Sequence, residues 1–315
     1  MVTPDEQTPH AAASENQRPD VRPIVVTVAT YRRPRLLAEL LRSLESMSSK
    51  RTFRVVVVDN DADASAREVA LSSALEVTYV VESAPGIAEA RNRGLDEVTS
   101  VDSAVVFVDD DERVAVDWLD KLVDGWREQG TEVVTGPVVS VFAPDCPRWI
   151  VDGGFIQRPR HRTGTRISTA ATNNTLLSVA AWESAGRPRF DPSFSETGGS
   201  DTAFFTLLVR GGARIAWIDE ALVEEDVPAD RATFQWIWRR AVRGGNVQAR
   251  VQSLGTRRGA MAARVAASLP YRAVRLVSGL VWYRRLRAED LIPLAWQCGL
   301  VGGLSGRLIK EYKRS

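Results

Sequence analysis

Short apolar runs alternate with segments of helical periodicity over the first third of this chain, and this alternation constrains its fold most strongly. Three runs, Ile24–Thr30, Phe53–Asp59 and Val77–Val81, are rich in β-branched residues and predict buried strands, and a fourth runs from Ala104 to Asp109. Leucines at helical spacing follow the first run. This β-α-β series predicts an α/β fold, in which helices flank both faces of a mostly parallel, Rossmann-like sheet.

The fourth run ends in four consecutive acids, Asp109, Asp110, Asp111 and Glu112. Like charges at a strand end repel one another unless a cation lies among them, and Mg²⁺ and Mn²⁺ prefer oxygen ligands of this kind. Ligands of open α/β sheets bind at the carboxyl ends of the strands. We therefore interpret the tract as a metal–phosphate site. A solvated acidic loop is the alternative for the tract taken alone.

Polar residues also end the first two strands. Thr30 and Arg32 follow the first strand, and Asp59 and Asn60 end the second, so these side chains are placed to face a nucleotide. The first strand carries no G-x-G-x-x-G fingerprint, which argues against a dinucleotide-binding enzyme, and the chain lacks a P-loop sequence. A D-x-D-x-T phosphatase is excluded because Arg113 stands where the threonine is needed.

Composition divides the chain into three parts. Residues 1–22 lack an apolar core and predict a disordered tail rather than a signal peptide. Residues 23–252 form the predicted α/β domain, and residues 253–315 form a helical extension. No segment reaches the roughly 18 apolar residues of a membrane-spanning helix. The two cysteines, Cys146 and Cys298, lie far apart, so we expect reduced thiols and a cytoplasmic protein.

Charge is distributed unevenly along the chain. From Arg231 to Ser315 there are 17 basic and 3 acidic residues, whereas the rest carries 24 basic and 37 acidic residues. Arginines alternate with short apolar stretches in the extension, which favours amphipathic helices on an anionic membrane surface at the cytoplasmic face. Packing of these helices against the α/β domain is the alternative. No nucleic-acid partner is expected, because nucleic-acid binding would leave the acidic domain and its metal tract without a role.

Five sequence blocks at the ends of alternating strands and helices resemble the family 2 glycosyltransferases, which have the GT-A fold. The blocks are Val28–Pro34, Val57–Asn60, Pro85–Gly94, Phe107–Glu112, which matches the D-x-D of the family, and Glu196–Thr202. The resemblance implies an inverting enzyme that uses a nucleotide-diphosphate sugar as donor and Mn²⁺ or Mg²⁺ as cofactor. Its acceptor would be a hydroxyl of a glycan, of a lipid-linked or other cell-envelope molecule, or of a secondary metabolite.

The same resemblance assigns roles to individual residues. Donor contacts fall to Thr30, Arg32, Asp59, Arg91, Asp109 and Asp110. Asp111 is the expected metal ligand, and Asp226 takes the place of a histidine that helps to hold the metal in many relatives. Asp201 matches the general base, although this chain has Ser200 where the family commonly has glutamate.

A later segment resembles the part of the family in which a helix lines the acceptor or diphosphate side of the site. Its residues are Arg231, Trp236, Arg239, Arg240 and Gly244. Core packing is the other interpretation of Trp236.

Other functions remain as alternatives to sugar transfer. One is a non-catalytic or donor-hydrolysing relative that binds sugar nucleotides, and Ser200 is its support. A sugar-nucleotide pyrophosphorylase is disfavoured, because the loop after the first strand lacks the Gly-rich sequence bearing arginine and lysine that such enzymes carry. Glu112 stays undecided between a functional acid and a capping or solvated one.

Overall fold

The computed structural model describes residues 23–195, 197–253, 258–284, 287–307 and 309. Its strands are β1 (Ile24–Thr30), β2 (Phe53–Asp59), β3 (Val77–Val81), β4 (Ala104–Asp109), β5 (Glu112–Val114), β6 (Val133–Thr135), β7 (Val138–Val141), β8 (Arg166–Ile167), β9 (Thr175–Ser178), β10 (Ile215–Trp217) and β11 (Val223–Asp226). Its α-helices are α1 (Pro34–Glu45), α2 (Arg67–Leu71), α3 (Ile87–Asp96), α4 (Trp118–Gln129), α5 (Arg148–Asp152), α6 (Val179–Ser184), α7 (Ser200–Arg210), α8 (Phe234–Ser253), α9 (Arg258–Tyr283) and α10 (Ala288–Leu304).

The main sheet has eight strands in the order β3-β2-β1-β4-β9-β6-β10-β8. Strands β1 to β4 are parallel to one another, and β9 runs antiparallel between β4 and β6. Thr30 pairs with Asp59, and Ala29 pairs with Asp109, so the first, second and fourth strands end at one edge of the sheet. The predicted α/β class and its mostly parallel sheet are confirmed, and the strand ends meet as expected.

Helices cover both faces of this sheet. Alternate strand residues such as Val26 and Val28 pack with α1 and α4 in one core, which includes the buried Trp118. Residues of the opposite phase, such as Val25 and Phe107, pack with α3 and α7 in a second core. Strands that are buried on both faces explain the nearly continuous apolar runs of the sequence.

A second, three-stranded sheet has the order β5-β11-β7. The apolar runs at residues 133–141 and 213–224 each predict one continuous strand, and this prediction is wrong because each segment is divided between the two sheets. Gly136 and Pro137 separate β6 from β7. A Cβ atom at Gly136 would lie 2.4 Å from the carbonyl oxygen of Ala221, so this close approach requires glycine. The second sheet brings β5, which follows the acid tract, against β11.

The last helix, α10, packs closely along α8. A Cβ atom at Gly299 would lie 1.8 Å from the carbonyl oxygen of Val242. The amide of Asn246 donates to the carbonyl of Arg307 at 2.7 Å. The packing alternative thus holds for α10. Pro270 and Pro293 predict helix breaks, because proline lacks the backbone N–H that a helix interior uses. This prediction is wrong, since α9 and α10 continue through them, each with the loss of one backbone hydrogen bond.

Two expectations for the termini stay predictions. The tail of residues 1–22 lies outside the described residues, and the domain boundary near residue 252 is placed inside the last turn of α8. Among the described residues, none of the helices combines the length and the apolar character that crossing a membrane requires.

Candidate active site

A cavity of about 710 Å³ opens where β1 and β4 end. One part of its lining, here called the β1–β4 wall, comes from Thr30–Arg33, from the first turns of α3 and from Asp109–Asp111. The other part, here called the α8 wall, consists mainly of Arg158, Glu225, Arg231, Trp236, Arg240 and Arg243. The cavity is thus lined by arginines and carboxylates from six separate segments of the chain, and this composition suits an anionic ligand.

Six of the nine predicted site residues line this cavity. They are Thr30, Arg32, Arg91, Asp109, Asp110 and Asp111. Asp59, Asp201 and Asp226 do not contribute to the lining. The structure therefore brings the acid tract, Thr30, Arg32 and Arg91 together in one cavity, and the remaining three residues are taken up one by one below.

The acid tract is held in place by the loop that follows β1. The hydroxyl of Thr30 donates to Asp110 Oδ2 at 2.8 Å. Arg33 Nη1 lies 3.3 Å from Asp110 Oδ1 and 3.4 Å from Asp111 Oδ2. On the other side of the tract, Arg91 Nη2 lies 3.4 Å from Asp109 Oδ1. Each carboxylate therefore has a cation nearby, and none forms a short charge-assisted pair with it.

Burial raises the pKa values of two of these carboxylates, and repulsion between neighbouring carboxylates adds to the effect. Burial raises the pKa of Asp110 to about 6, and the charge of Asp111 adds to this effect while Arg33 opposes it. Partial burial in the cavity likewise raises the pKa of Asp109 to about 6, with Arg91 opposing and Asp111 adding to the rise. A bound cation would stabilise the charged forms of these carboxylates and thereby oppose the rise of their pKa values.

Glu112 has a structural task. Its side chain is buried, and Oε2 accepts a hydrogen bond from the backbone N–H of Asp109 at 2.8 Å. Burial and the neighbouring Asp109 charge raise the pKa of Glu112 well above its ordinary value. The acid that the sequence left undecided thus fixes the turn between β4 and β5 and thereby the direction of Asp109.

The acid tract fits a hard divalent cation. The nitrogen–oxygen distances between the tract and its arginines are 3.3–3.9 Å. A metal ion would therefore compete with weak ion pairs at these carboxylates. Within the described part of the chain, no three His, Cys, Asp or Glu side chains already surround a metal position. Mg²⁺ is usually held by one or two carboxylates together with substrate phosphates. Asp109 and Asp111, completed by a bound diphosphate, are a suitable donor set.

Asp59 lies outside the cavity, contrary to its predicted position. Its carboxylate is fully buried and accepts hydrogen bonds from the backbone N–H of Asp61, the backbone N–H of Ala66 and the hydroxyl of Tyr79. Successive side chains at a strand end point in opposite directions. The next residue, Asn60, therefore lines the cavity.

Asn60 fastens the segment that leads into α3. Its Oδ1 accepts from the N–H of Gly86 at 3.0 Å, and its Nδ2 donates to the carbonyl oxygens of Glu82 and Ala84. Gly86 has a φ of +149°, which side chains rarely permit. Asn60 and Gly86 together set where α3 begins and hence where Arg91 enters the cavity.

Asp59→Asn tests this placement through stability. We expect the free energy of unfolding to fall by about 1–3 kcal/mol, because the amide NH₂ would face backbone N–H donors, while nucleoside diphosphate affinity is unchanged. Chemical denaturation and calorimetric titration measure the two quantities. Tyr79→Phe is the matched control and removes only one donor. Loss of nucleotide binding without loss of stability would restore Asp59 to the ligand site.

Asp226 also points away from the cavity. Both of its carboxylate oxygens accept from Arg113 at 2.7 Å, and this pair holds the pKa of Asp226 below its ordinary value. The preceding residue on β11, Glu225, faces the cavity instead and pairs with Arg158 and Arg231, each at 2.9 Å. The predicted residue is therefore one position away from the residue that faces the cavity. Neighbouring residues of a strand point to opposite faces of the sheet.

Asp201 lies in the first turn of α7, where its Oδ1 accepts from the N–H of Thr202. Serine is a common N-cap residue, so the sequence predicts Ser200 as the N-cap of α7, but the N-cap is Gly199. The hydroxyl of Ser200 instead lies 3.4 Å from Arg91 Nη1. Asp201 is thus adjacent in sequence to Ser200, which contacts Arg91 of the cavity lining. Glu196, which belongs to the same sequence block, lies outside the described residues.

Several cavity residues were not found from the sequence. Arg33 stands beside the predicted Arg32 in the same motif block, so its position carried a usable signal. Arg158 lies in the Pro-, Gly- and Arg-rich segment 144–166, whose composition predicts a segment over the site. Glu225 and Arg243 carried no signal, since they reach the cavity through the second sheet and α8. Arg239, predicted with its neighbour Arg240, is exposed and lies outside the lining. Gly244 packs against the ring of Trp296 instead.

Comparison with known sequences places this arrangement in a family. The sequence model described as "Glycosyl transferase family 2" matches residues 25–182. The succinoglycan biosynthesis protein ExoM of Rhizobium meliloti (strain 1021) is 40% identical over 236 residues, which span 72% of this chain and 74% of that protein. The chain belongs to glycosyl transferase family 2. It is an enzyme that transfers sugars.

Solved structures share the fold of this glycosyltransferase. S. aureus TarS 1–349 superposes with a TM-score of 0.52 at 18% identity and covers 92% of this chain and 93% of its own. TarS 1–349 in complex with UDP-GlcNAc superposes with a TM-score of 0.51 at 18% identity, covering 90% and 92%. At such identities the likeness shows the fold alone, and it agrees with the GT-A architecture expected of this glycosyltransferase.

Proposed function

We propose that this glycosyltransferase moves a sugar from a nucleoside diphosphate sugar to an acceptor hydroxyl, with inversion at the anomeric carbon and with Mg²⁺ or Mn²⁺ as cofactor. The observation that carries the proposal is the acid tract Asp109–Asp111, which lies among Arg33 and Arg91 at the carboxyl ends of β1 and β4. Carboxylates for a cation and guanidinium groups for phosphates meet there in one cavity.

The donor would lie along the β1–β4 wall. The first turn of α3 lines this wall, and helix N-termini favour anions such as phosphate groups. Thr30 and Arg32 end β1 beside the tract and would meet the nucleoside, as the placement of ligands in open α/β sheets suggests. The structures of TarS with UDP-GlcNAc and with UDP support a nucleotide donor for the same fold.

The reaction would be a direct displacement. The acceptor oxygen forms a bond to the anomeric carbon as the bond from that carbon to the diphosphate breaks, and the electron pair leaves with the nucleoside diphosphate. Asp201 takes the proton of the acceptor hydroxyl. A cation held by Asp111 and Asp109 would neutralise charge on the leaving diphosphate. Arg91, which already contacts Asp109 and Ser200, would add a positive charge from the side of α7.

Donor hydrolysis measures the stereochemical part of the proposal without a known acceptor. The protein is incubated with UDP-, GDP- or dTDP-sugars and Mn²⁺, and the first-formed free sugar is followed by proton NMR. We expect the anomer opposite to that of the donor, because water replaces the acceptor in a single displacement. A first-formed sugar with the donor's configuration would overturn the inverting mechanism.

We further propose that α9 docks on an anionic membrane surface, where a lipid-linked acceptor would be found. Exposed apolar side chains form a stripe along one side of this helix: Tyr271, Val274, Val277, Val281 and Trp282. Trp282 is 82% exposed. No acidic residue occurs between Asp230 and Glu289, so basic residues alone accompany the stripe. An apolar face flanked by arginines is the pattern of helices that lie in a membrane interface.

Sedimentation with vesicles tests the docking of α9. We expect the protein to co-sediment with phosphatidylglycerol-containing vesicles at low salt and to dissociate as salt rises, because surface charge is screened. Trp282→Glu should release most of the bound protein. Val101→Glu, at an equally exposed valine before β4, is the control and should leave binding intact. Absence of binding to anionic vesicles at low salt would contradict the proposal.

A further inference from the structure

The two walls of the cavity differ in charge. The β1–β4 wall carries Arg33 and Arg91 against Asp109, Asp110 and Asp111, because Arg32 is paired with Asp61 and Asp63 instead. The α8 wall carries the guanidinium groups of Arg158, Arg231 and Arg240 against the carboxylate of Glu225, and Arg243 lies beside them. The positive charge of the cavity is therefore concentrated on the α8 wall.

Glu225 does not offset this excess. Its Oε1 accepts from Arg231 and its Oε2 from Arg158, both at 2.9 Å, so one carboxylate serves two guanidinium groups. Arg231 also reaches towards Asp111, at 3.9 Å, and thereby joins the two walls. Glu225 accordingly holds Arg158 and Arg231 in fixed positions where the second sheet borders the cavity.

Arg240 lies deeper and meets neutral groups. Nη1 donates to the carbonyl oxygen of Ile156 at 3.2 Å, and the guanidinium stacks on the ring of Trp236 with 5.2 Å to its centroid. Burial lowers the pKa of Arg240 to about 10, and the charges of Arg158, Arg243 and Arg231 add to this effect while Glu225 opposes it. Positive charge confined in this way binds an oxyanion strongly, because the anion removes the repulsion as well as adding hydrogen bonds.

The donor diphosphate already has its counter-charge on the other wall. A divalent cation at Asp109–Asp111 adds the positive charge that a diphosphate needs there, and Arg33 and Arg91 stand beside it. On the α8 wall, Arg240 contacts a backbone carbonyl and an aromatic ring, and it is therefore placed to bind a second anion. Trp236 places an aromatic face next to Arg231 and Arg240, which suits a sugar ring beside a charged group.

We infer that the α8 wall is an acceptor subsite for a glycan unit bearing an oxyanion, a carboxylate or a phosphate, which Arg240 and Arg243 bind while Trp236 contacts the sugar ring. This inference rests on the proposed function, because it takes the β1–β4 wall as the donor site. It makes the acceptor an acidic glycan, with the accepting hydroxyl close to the anionic group.

Calorimetric titration of the full chain tests the subsite. With Mn²⁺ and saturating UDP present, glucose 6-phosphate, glucuronate and glucose are titrated in turn. We expect one or both anionic sugars to bind while glucose does not. Which of the two binds shows whether the subsite recognises a phosphate, a carboxylate or both. Arg240→Gln should weaken this binding at least tenfold and leave UDP affinity unchanged. Arg243→Gln serves as a second variant if Arg240→Gln does not fold, and the exposed Arg239→Gln is the matched control.

Three results would overturn the inference: no anionic sugar binds, the anionic sugars bind only in competition with UDP, or Arg240→Gln weakens UDP as much as the sugar anion. The last two would assign the arginines to the donor diphosphate. If UDP fails to bind the wild type, the proposed donor site fails by itself. The same titrations without UDP, with Arg240→Gln against Arg239→Gln, then decide whether the α8 wall binds acidic sugars.

Discussion

Asp201→Asn is expected to lower the rate of sugar transfer by about 10²–10⁴-fold while nucleoside diphosphate binding stays unchanged. Asparagine has the shape of aspartate and can still accept from the N–H of Thr202, so α7 should begin as before. It cannot take a proton from the acceptor hydroxyl. The donor contacts proposed above fall to other residues, so the substitution leaves those contacts in place.

Transfer rates and UDP affinity are measured on the same preparation of Asp201→Asn. Glu68→Gln is the matched control, since Glu68 is an exposed acid in the first turn of another helix, α2. It should retain full transfer and full binding. Full transfer activity in Asp201→Asn would end the assignment of the base. Loss of UDP binding in that variant would instead make Asp201 part of the donor site.

Asp111→Asn should reduce transfer by about 100-fold or more and should abolish its dependence on Mn²⁺. Asp111 is the acid of the tract that faces both Arg33 and Arg231, so its loss removes a metal ligand and also loosens the junction between the walls. Donor affinity should fall to the value that the wild type shows in EDTA. Activity against metal concentration, together with UDP titration, measures these effects.

Asp117→Asn provides the comparison for Asp111→Asn. Asp117 is half exposed at the start of α4 and contacts only Lys121, at 3.9 Å, among the described ion pairs. Its substitution should change neither activity nor metal dependence. An Asp111→Asn enzyme that keeps the Mn²⁺ response of the wild type would place the metal on other residues.

The acid tract and its surroundings were predictable because they depend on local features. Thr30 and Asp109 end parallel strands that the β-branched runs predict, and parallel strands end at one edge of a sheet. Arg91 lies on a helix of clear periodicity that follows β3. For these residues, knowledge of the strand order was enough to bring the side chains together.

The misplaced residues fail for a different reason. Asp59 and Asp226 are each one position away from the residue that faces the cavity, Asn60 and Glu225. Which of two neighbours points inward depends on the register of a strand with its partners, and β11 belongs to a second sheet that the sequence did not predict. The presence of polar residues at a strand end does not show which of two neighbouring side chains points into the cavity.

The α8 wall depends on contacts that are remote in sequence. Arg158 reaches Glu225 across 67 positions, and both meet Arg231 and Arg240 only after the second sheet has formed. No periodicity links these residues along the chain. Pro270 and Pro293 led to an error of another kind. A local signal predicted that two helices end at these residues, but both helices continue through them.

Calorimetric titration of nucleoside diphosphates in Mn²⁺ and in EDTA tests the central claim most directly, that the acid tract and its arginines form a metal-dependent donor site. We expect UDP, GDP or dTDP to bind at least about tenfold more tightly with Mn²⁺, because the cation joins the carboxylates to the diphosphate. Equal affinity of all three in Mn²⁺ and EDTA, or no binding of any, would contradict this account.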